Sequence, residues 1–83
     1  MNLNKHEAND LFSSSDLALV GTIALWYPIE SIDRNNSKII FYFKRDKKFD
    51  KIIQQYWRKE LKIEPQTYFS QLKAVKARLY GND

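Results

Sequence analysis

The sequence predicts a small α+β domain in the order helix, β-hairpin, helix, helix. One apolar segment is followed by a turn-linked pair of β-branched and aromatic segments, and then by two segments with helical spacing of apolar residues. The chain has 83 residues, enough for one domain with a small core, and 43% are hydrophobic, which is typical of a folded protein. We expect a flexible arm over residues 1–13 and one domain over residues 14–83, with a two-stranded antiparallel hairpin packed on the helices.

The first helix is predicted over residues 17–26. Ser14 or Ser15 stands just before it, where a side-chain oxygen can accept hydrogen bonds from the first free N–H groups. The apolar residues of this segment, Trp26 included, spread round most of a helix, which indicates burial on several sides. Pro28 is expected to end the helix, because the residue before a proline disfavours helical geometry.

The hairpin is predicted between residues 29–34 and residues 38–44. Asparagines lie between the two segments, and asparagine tolerates the positive φ angles of tight turns. Side chains alternate between the two faces of a strand, so the second strand presents two different faces. The core face is expected to carry Ile39, Phe41 and Phe43. We expect Ile40 and Tyr42, on the other face, to be half covered by another element or by a partner.

Two more helices are predicted, the first over residues 47–61. Its apolar arc, which includes Trp57, is expected to face the core. The second begins at Pro65, a residue favoured in the first turn of a helix, and ends at Gly81. Its apolar seam consists of Tyr68, Leu72, Val75 and Leu79. Gly21 in the first helix indicates a close approach by a neighbouring element.

The positive charge is concentrated in the middle of the chain. Nine basic and three acidic residues lie between Lys38 and Lys62, a local charge of +6 in a chain of net charge +4. On the helix predicted over residues 47–61, cations and amides share one face without an acidic residue. Such a face attracts polyanions. The candidate nucleic-acid-binding residues are Lys44, Arg45, Lys47, Lys48, Lys51, Gln54, Gln55 and Arg58.

Two functions are compatible with these patterns. The first is binding of DNA or RNA with weak sequence specificity, in which cations contact phosphates and the two glutamines reach base or sugar edges. The alternative is a small adaptor or regulatory module that binds a protein partner, or a second copy of itself, through Ile40 and Tyr42. A cationic helix face is also a common feature of solvated surfaces that bind nothing.

The composition argues against several other classes of protein. The chain has no cysteine and only one histidine, His6, so we expect no metal site, no cofactor and no histidine-based catalysis. Its two glycines cannot form a phosphate-cradling loop, and we therefore expect a protein that is not an enzyme. No apolar segment is long enough to cross a membrane, and no signal peptide is visible, so we expect a cytoplasmic location.

Four groups of residues form a longer pattern over residues 15–80. They are residues 15–19 (SDLAL), 41–43 (FYF), 56–57 (YW) and the segment 65–80, which begins with proline and carries aromatic, leucine and lysine residues at helical spacing. This pattern resembles a family of small bacterial and phage-type proteins known only as a domain of unknown function. The resemblance implies one α+β domain and assigns no activity and no site residues.

Overall fold

The computed structural model describes residues 10–35 and 37–81 of the chain. This part contains, in chain order, β1 (Leu11–Ser14), α1 (Leu17–Ile23), β2 (Ser31–Asp33), β3 (Ile40–Lys44), α2 (Lys47–Trp57) and α3 (Pro65–Tyr80). The predicted α+β class is confirmed. Most of the predicted arm, with His6, lies outside the described residues.

The sheet has three antiparallel strands, in the order β1-β3-β2, so the prediction of a two-stranded hairpin was wrong. The predicted partners β2 and β3 do pair, with Ile32 opposite Phe41, while β1 pairs along the other side of β3, with Phe12 opposite Phe43. A strand of four residues is too short to show alternation in the sequence. The position of β1 depends instead on tertiary contacts, since the centroid of the Phe12 ring lies 5.2 Å from that of Phe49 on α2.

The core lies between one face of the sheet and the three helices. Its fully buried apolar residues come from α1, β3, α2 and α3: Leu19, Val20, Ile23, Phe41, Phe43, Phe49 and Val75. The predicted core face of β3 is confirmed by the burial of Phe41 and Phe43. Ile40 and Tyr42 are half-buried, as expected, and lie on the opposite face of the strand.

The start of α1 is capped by Asp16, not by Ser14 or Ser15 as predicted. A carboxylate oxygen of Asp16 accepts hydrogen bonds from the backbone N–H groups of Ala18 and Leu19, at 3.0 and 3.4 Å. The hydroxyl of Ser14 does not cap the helix but accepts a hydrogen bond from the backbone N–H of Asp16, at 3.0 Å. The cap therefore lies one or two residues later in the chain than the serine pattern indicates.

The end of α1 lies at Ile23, five residues before Pro28. The chain then tightens into turns in which the N–H of Leu25 bonds to the carbonyl of Thr22 at 3.1 Å and that of Trp26 to Ile23 at 2.9 Å. These bonds span three residues instead of four, as is common at helix ends. As a consequence, Trp26 is 48% exposed and does not belong to the core, which corrects the predicted burial.

Helix α1 packs closely on α3 at Gly21, as predicted. A Cβ atom at Gly21 would lie 3.1 Å from Cδ1 of Leu72 and 3.5 Å from Cε1 of Tyr68. The predicted bounds of α3 are confirmed at both ends, since it begins at Pro65 and Gly81 forms its C-cap. Its first turn is capped by Glu64, which accepts the N–H groups of two residues of that turn.

Helix α2 is shorter than predicted, since it ends at Trp57 instead of Leu61. It packs on the core through Phe49, which is buried among the rings of Phe12, Tyr27 and Phe43. Trp57 was expected in the core arc but is 63% exposed, because it lies at the last residue of the helix, beyond the packed part.

Candidate nucleic-acid interface

The eight predicted nucleic-acid-binding residues lie between the end of β3 and the C-cap of α2. All eight are exposed: Lys44, Arg45, Lys47, Lys48, Lys51, Gln54, Gln55 and Arg58. Because α2 is continuous from its first residue, Lys47, Lys51 and Gln54 lie three or four residues apart on one face. We refer to Lys47, Lys51, Gln54 and Arg58 as the basic stripe.

Two of the predicted cations are already engaged by carboxylates. Arg45 donates from Nε and Nη2 to one oxygen of Asp50, at 3.1 and 3.0 Å. Lys44 Nζ lies 3.9 Å from a carboxylate oxygen of Glu30, at the limit of an ion pair. Both pairs are exposed, so each adds little to stability. They nevertheless reduce the net positive charge at the end of the candidate interface that lies nearest the sheet.

The other four cations have a different environment. Over residues 10–35 and 37–81, no carboxylate lies within 4.0 Å of the charged groups of Lys47, Lys48, Lys51 or Arg58. Lys47 and Lys51 are separated by one helical turn, a spacing at which like charges are slightly destabilising. Four unpaired cations thus lie on α2 and its C-cap, and Lys73, Lys76 and Arg78 of α3 are likewise without an ion pair in the described part of the chain.

The N-terminus of α2 is closed by its own cap. Asp46 Oδ1 accepts the backbone N–H of Phe49 at 2.8 Å and the hydroxyl of Tyr27 at 2.7 Å. These two bonds, the first being the larger cause, hold the pKa of the Asp46 carboxyl below its ordinary value. The hydrogen bond from the Tyr27 hydroxyl to Asp46 is also the main reason why the pKa of Tyr27 lies above its ordinary value. The helix N-terminus therefore has an anion of its own.

An open groove of about 680 Å³ lies beside the basic stripe, between α2 and the turns that follow α1. It is lined by Trp26, Tyr27, Asp46, Lys48, Lys51, Ile52, Gln55 and Leu61. Lys48, Ile52 and Gln55 recur at helical spacing and form one wall, while Trp26 belongs to the other. Lys51 belongs to both the groove and the stripe. We call this feature the Trp26 groove.

The sequence does not indicate the Trp26 groove. Helical spacing places Trp26 with the buried residues of α1, and only the early end of that helix exposes it. Pro28, two residues later, is the one signal of an early end, because helices usually stop before a proline. What the sequence does indicate is the cationic and amide wall on α2.

The predicted partner face lies on the side of the sheet away from the core. Tyr42 is at the middle of β3 and is paired with Ser13 of β1 on one side and Ser31 of β2 on the other. The small serine side chains give it little cover. Ile40 is paired with Asp33, so this face mixes polar and apolar groups.

Within the described ranges, the acidic residues form no group of three or more that could hold a metal ion. None of the described helices is both long and apolar enough to cross a membrane.

The fold and the site define a small α+β protein with a cationic helix beside an aromatic groove. The chain belongs to the family described as Domain of unknown function (DUF5659), which it matches over residues 26–81. The resemblance seen in the sequence is thereby confirmed, although residues 15–19 lie before the matched segment. No curated protein and no solved structure matches the chain.

Proposed function

We propose that this protein binds nucleic acid without catalysing a reaction, and that the cations of α2 contact the phosphates. The observation that carries the proposal is the exposure of Lys47, Lys48, Lys51 and Arg58, none of which has an ion pair in the described part of the chain. Cations in this state neutralise phosphates and release the counterions that surround nucleic acid, which is the main source of sequence-independent affinity.

The rest of the patch supports weak sequence specificity. Gln54 and Gln55 are exposed on α2 and have amide groups able to contact base or sugar edges. Lys44 and Arg45 extend the positive surface towards the sheet, although a phosphate there competes with Glu30 and Asp50. The absence of cysteine, which removes disulfides as a means of stabilising a secreted protein, supports an intracellular location.

The test is a titration of labelled single-stranded and duplex DNA and RNA between about 50 and 200 mM salt. Four phosphate contacts predict that log K falls with log salt at a slope of about −3 to −4. In the double variant Lys47→Glu with Lys51→Glu, we expect much weaker binding and a slope smaller in magnitude by about 2. The matched control is Lys73→Glu with Lys76→Glu, which makes the same charge change on exposed residues of α3.

Two results would contradict the proposal. If the two double variants lose affinity equally, the net charge of the protein and not the face of α2 is responsible for binding. If the unaltered protein binds none of the four nucleic acids at the lower salt concentration, the function itself is wrong.

A second candidate is a protein-interaction module, including a homodimer, that uses Ile40 and Tyr42. It is supported by their position on the sheet face opposite the buried Phe41 and Phe43, and by the serines on both sides of Tyr42. Association through such a face depends on apolar contact and therefore tolerates salt, whereas phosphate binding does not. For the homodimer, sedimentation equilibrium at the same two salt concentrations separates the candidates, because association through this face should persist at the higher salt and be lost in Ile40→Glu.

A further inference from the structure

We infer that the Trp26 groove is a subsite for one unpaired base, so that the preferred ligand is a single strand of nucleic acid. This inference rests on the proposed function and adds the class of nucleic acid to it. The groove combines an exposed aromatic ring, two lysines and an amide side chain, which are the groups that bind a base, its phosphates and its polar edge.

The aromatic wall is accessible, and its backbone is fixed by hydrogen bonds. Trp26 is 48% exposed, and its backbone N–H bonds to the carbonyl of Ile23 at 2.9 Å. The next residue, Tyr27, donates its own N–H to the same carbonyl at 2.9 Å. When a base stacks on this ring, only side-chain freedom has to be lost, because the backbone is already fixed.

The opposite wall supplies both apolar and polar contacts. Ile52 and Leu61 are half-buried and provide an apolar lining, while Gln55 is exposed and offers both a donor and an acceptor. A volume of about 680 Å³ lies within the range of about 300–1,000 Å³ usual for small-molecule sites. The groove therefore has room for a base with its sugar.

The two walls are fixed to each other through Tyr27. Its hydroxyl donates to Asp46 at 2.7 Å, and its ring meets the ring of Phe49 edge-on at 5.1 Å. Both contacts join the turns after α1 to the first turn of α2. The groove is consequently formed before any ligand binds, which reduces the cost of binding.

The charges in the groove favour an anion. Lys48 and Lys51 line it together with one carboxylate, Asp46, whose Oδ1 already accepts two hydrogen bonds. Since Lys51 also belongs to the basic stripe, a strand with its phosphates on the stripe passes the mouth of the groove. A duplex keeps its bases stacked inside, so only an unpaired base can enter.

The experiment uses the two tryptophans of the chain as matched probes. The Trp57→Phe variant retains Trp26 as the only tryptophan, and Trp26→Phe retains Trp57. With a single-stranded oligonucleotide, we expect quenching of tryptophan fluorescence in the first variant and little change in the second. Heparin, a polyanion without bases, should cause no quenching in either variant.

Affinity provides the second measurement. Trp26→Ala should weaken single-strand binding about 5- to 150-fold, the range expected when one stacking contact is removed. Trp57→Ala, at a residue that is 63% exposed but does not line the groove, should change it less than about twofold. Duplex binding should be the same in both variants. Circular dichroism checks that each variant is folded.

The outcomes separate this inference from the proposed function. The subsite is wrong if Trp26→Ala weakens binding no more than Trp57→Ala does, or if heparin quenches Trp26 as the oligonucleotide does. If the Lys47 and Lys51 double variant still loses binding in that case, the proposed function stands without the subsite. If the unaltered protein shows no salt-dependent binding, and the tryptophan and lysine variants therefore change nothing, both the subsite and the proposed function are wrong.

Discussion

Asp46 has two roles through a single carboxylate oxygen. It caps the first turn of α2 by accepting the N–H of Phe49, and it accepts the hydroxyl of Tyr27 from the turns that follow α1. A carboxylate at a helix N-terminus is also favoured by the helix dipole. The ionised Asp46 therefore helps, together with the buried Phe49, to fix α2 beside the Trp26 groove.

The pH dependence of stability follows from the lowered pKa of Asp46. The pKa of Asp46 lies below its ordinary value of 3.8 in the folded state, so the unfolded state binds the proton more tightly. The stabilising contribution is therefore complete above about 3.8 and is lost as the pH falls through the lower folded-state pKa. Glu64, which caps α3 and whose pKa is lowered from 4.5 by the N–H groups of Gln66 and Thr67, acts in the same direction.

We expect the free energy of unfolding, measured by urea denaturation, to decrease as the pH is lowered below about 4.5. Asp46→Asn keeps a neutral acceptor at the cap, so its stability should decrease less steeply in acid. Glu60→Gln, which removes a carboxylate that caps no helix, is the control and should retain the steep dependence. Parallel pH profiles for Asp46→Asn and the unaltered protein would show that the cap does not titrate as proposed.

At the scale of elements, the end of α2 explains why this helix is shorter than its apolar pattern predicts. Lys59 has a positive φ of 62°. Its N–H bonds to the carbonyl of Tyr56 at 3.1 Å, and the N–H of Glu60 bonds back to Gln55 at 2.9 Å. This pair of bonds is a Schellman motif, in which glycine is usual at the left-handed position. With lysine there, the sequence carries no stop signal.

A left-handed residue with a Cβ atom costs about 1–2 kcal/mol, a cost that glycine avoids. We therefore expect Lys59→Gly to be more stable than Lys59→Ala by about 1 kcal/mol. The two variants remove the same charge and differ only in the Cβ atom, so their difference isolates backbone strain. Thermal and urea denaturation measure it, and equal stability would mean that the left-handed geometry is not strained.

The elements that could be predicted from the sequence are those with clear local signals. Helix α3 has Pro65 at its start and Gly81 after its end, and both bounds were confirmed. Strand β1 has no such signals, because its place is determined by pairing with β3 and by the contact between Phe12 and Phe49. The cationic wall of the site lies on one helix and follows from periodicity. The Trp26 groove needs two elements brought together by Tyr27, which no local pattern reveals.

For the whole molecule, the segment that matches the family and the folded unit are different. The match covers residues 26–81, whereas β1 and α1 precede it. Leu19, Val20 and Ile23 of α1 are among the fully buried core residues, and Thr22 beside them is also buried. Residues 26–81 alone would leave the partners of these side chains on β3 and α3 exposed to water.

We expect a fragment of residues 26–81 to be unfolded, and a fragment of residues 10–81 to fold like the full chain. Each buried aliphatic side chain of α1 contributes about 1.5–3 kcal/mol, against a total stability of about 5–15 kcal/mol for a typical domain. Circular dichroism and amide proton dispersion in NMR spectra distinguish the two states. A cooperative thermal transition in the shorter fragment would contradict the prediction.

The order of strands in the sheet also affects how the protein forms during translation. The central strand, β3, is the last of the three to be made, so neither β1 nor β2 has a partner when it leaves the ribosome. At about 5–20 residues per second, β1 waits a few seconds for β3. Val75, which completes the core, follows later still. The nascent chain therefore exposes Phe12 and the apolar side chains of α1 until β3 and α3 have been synthesised.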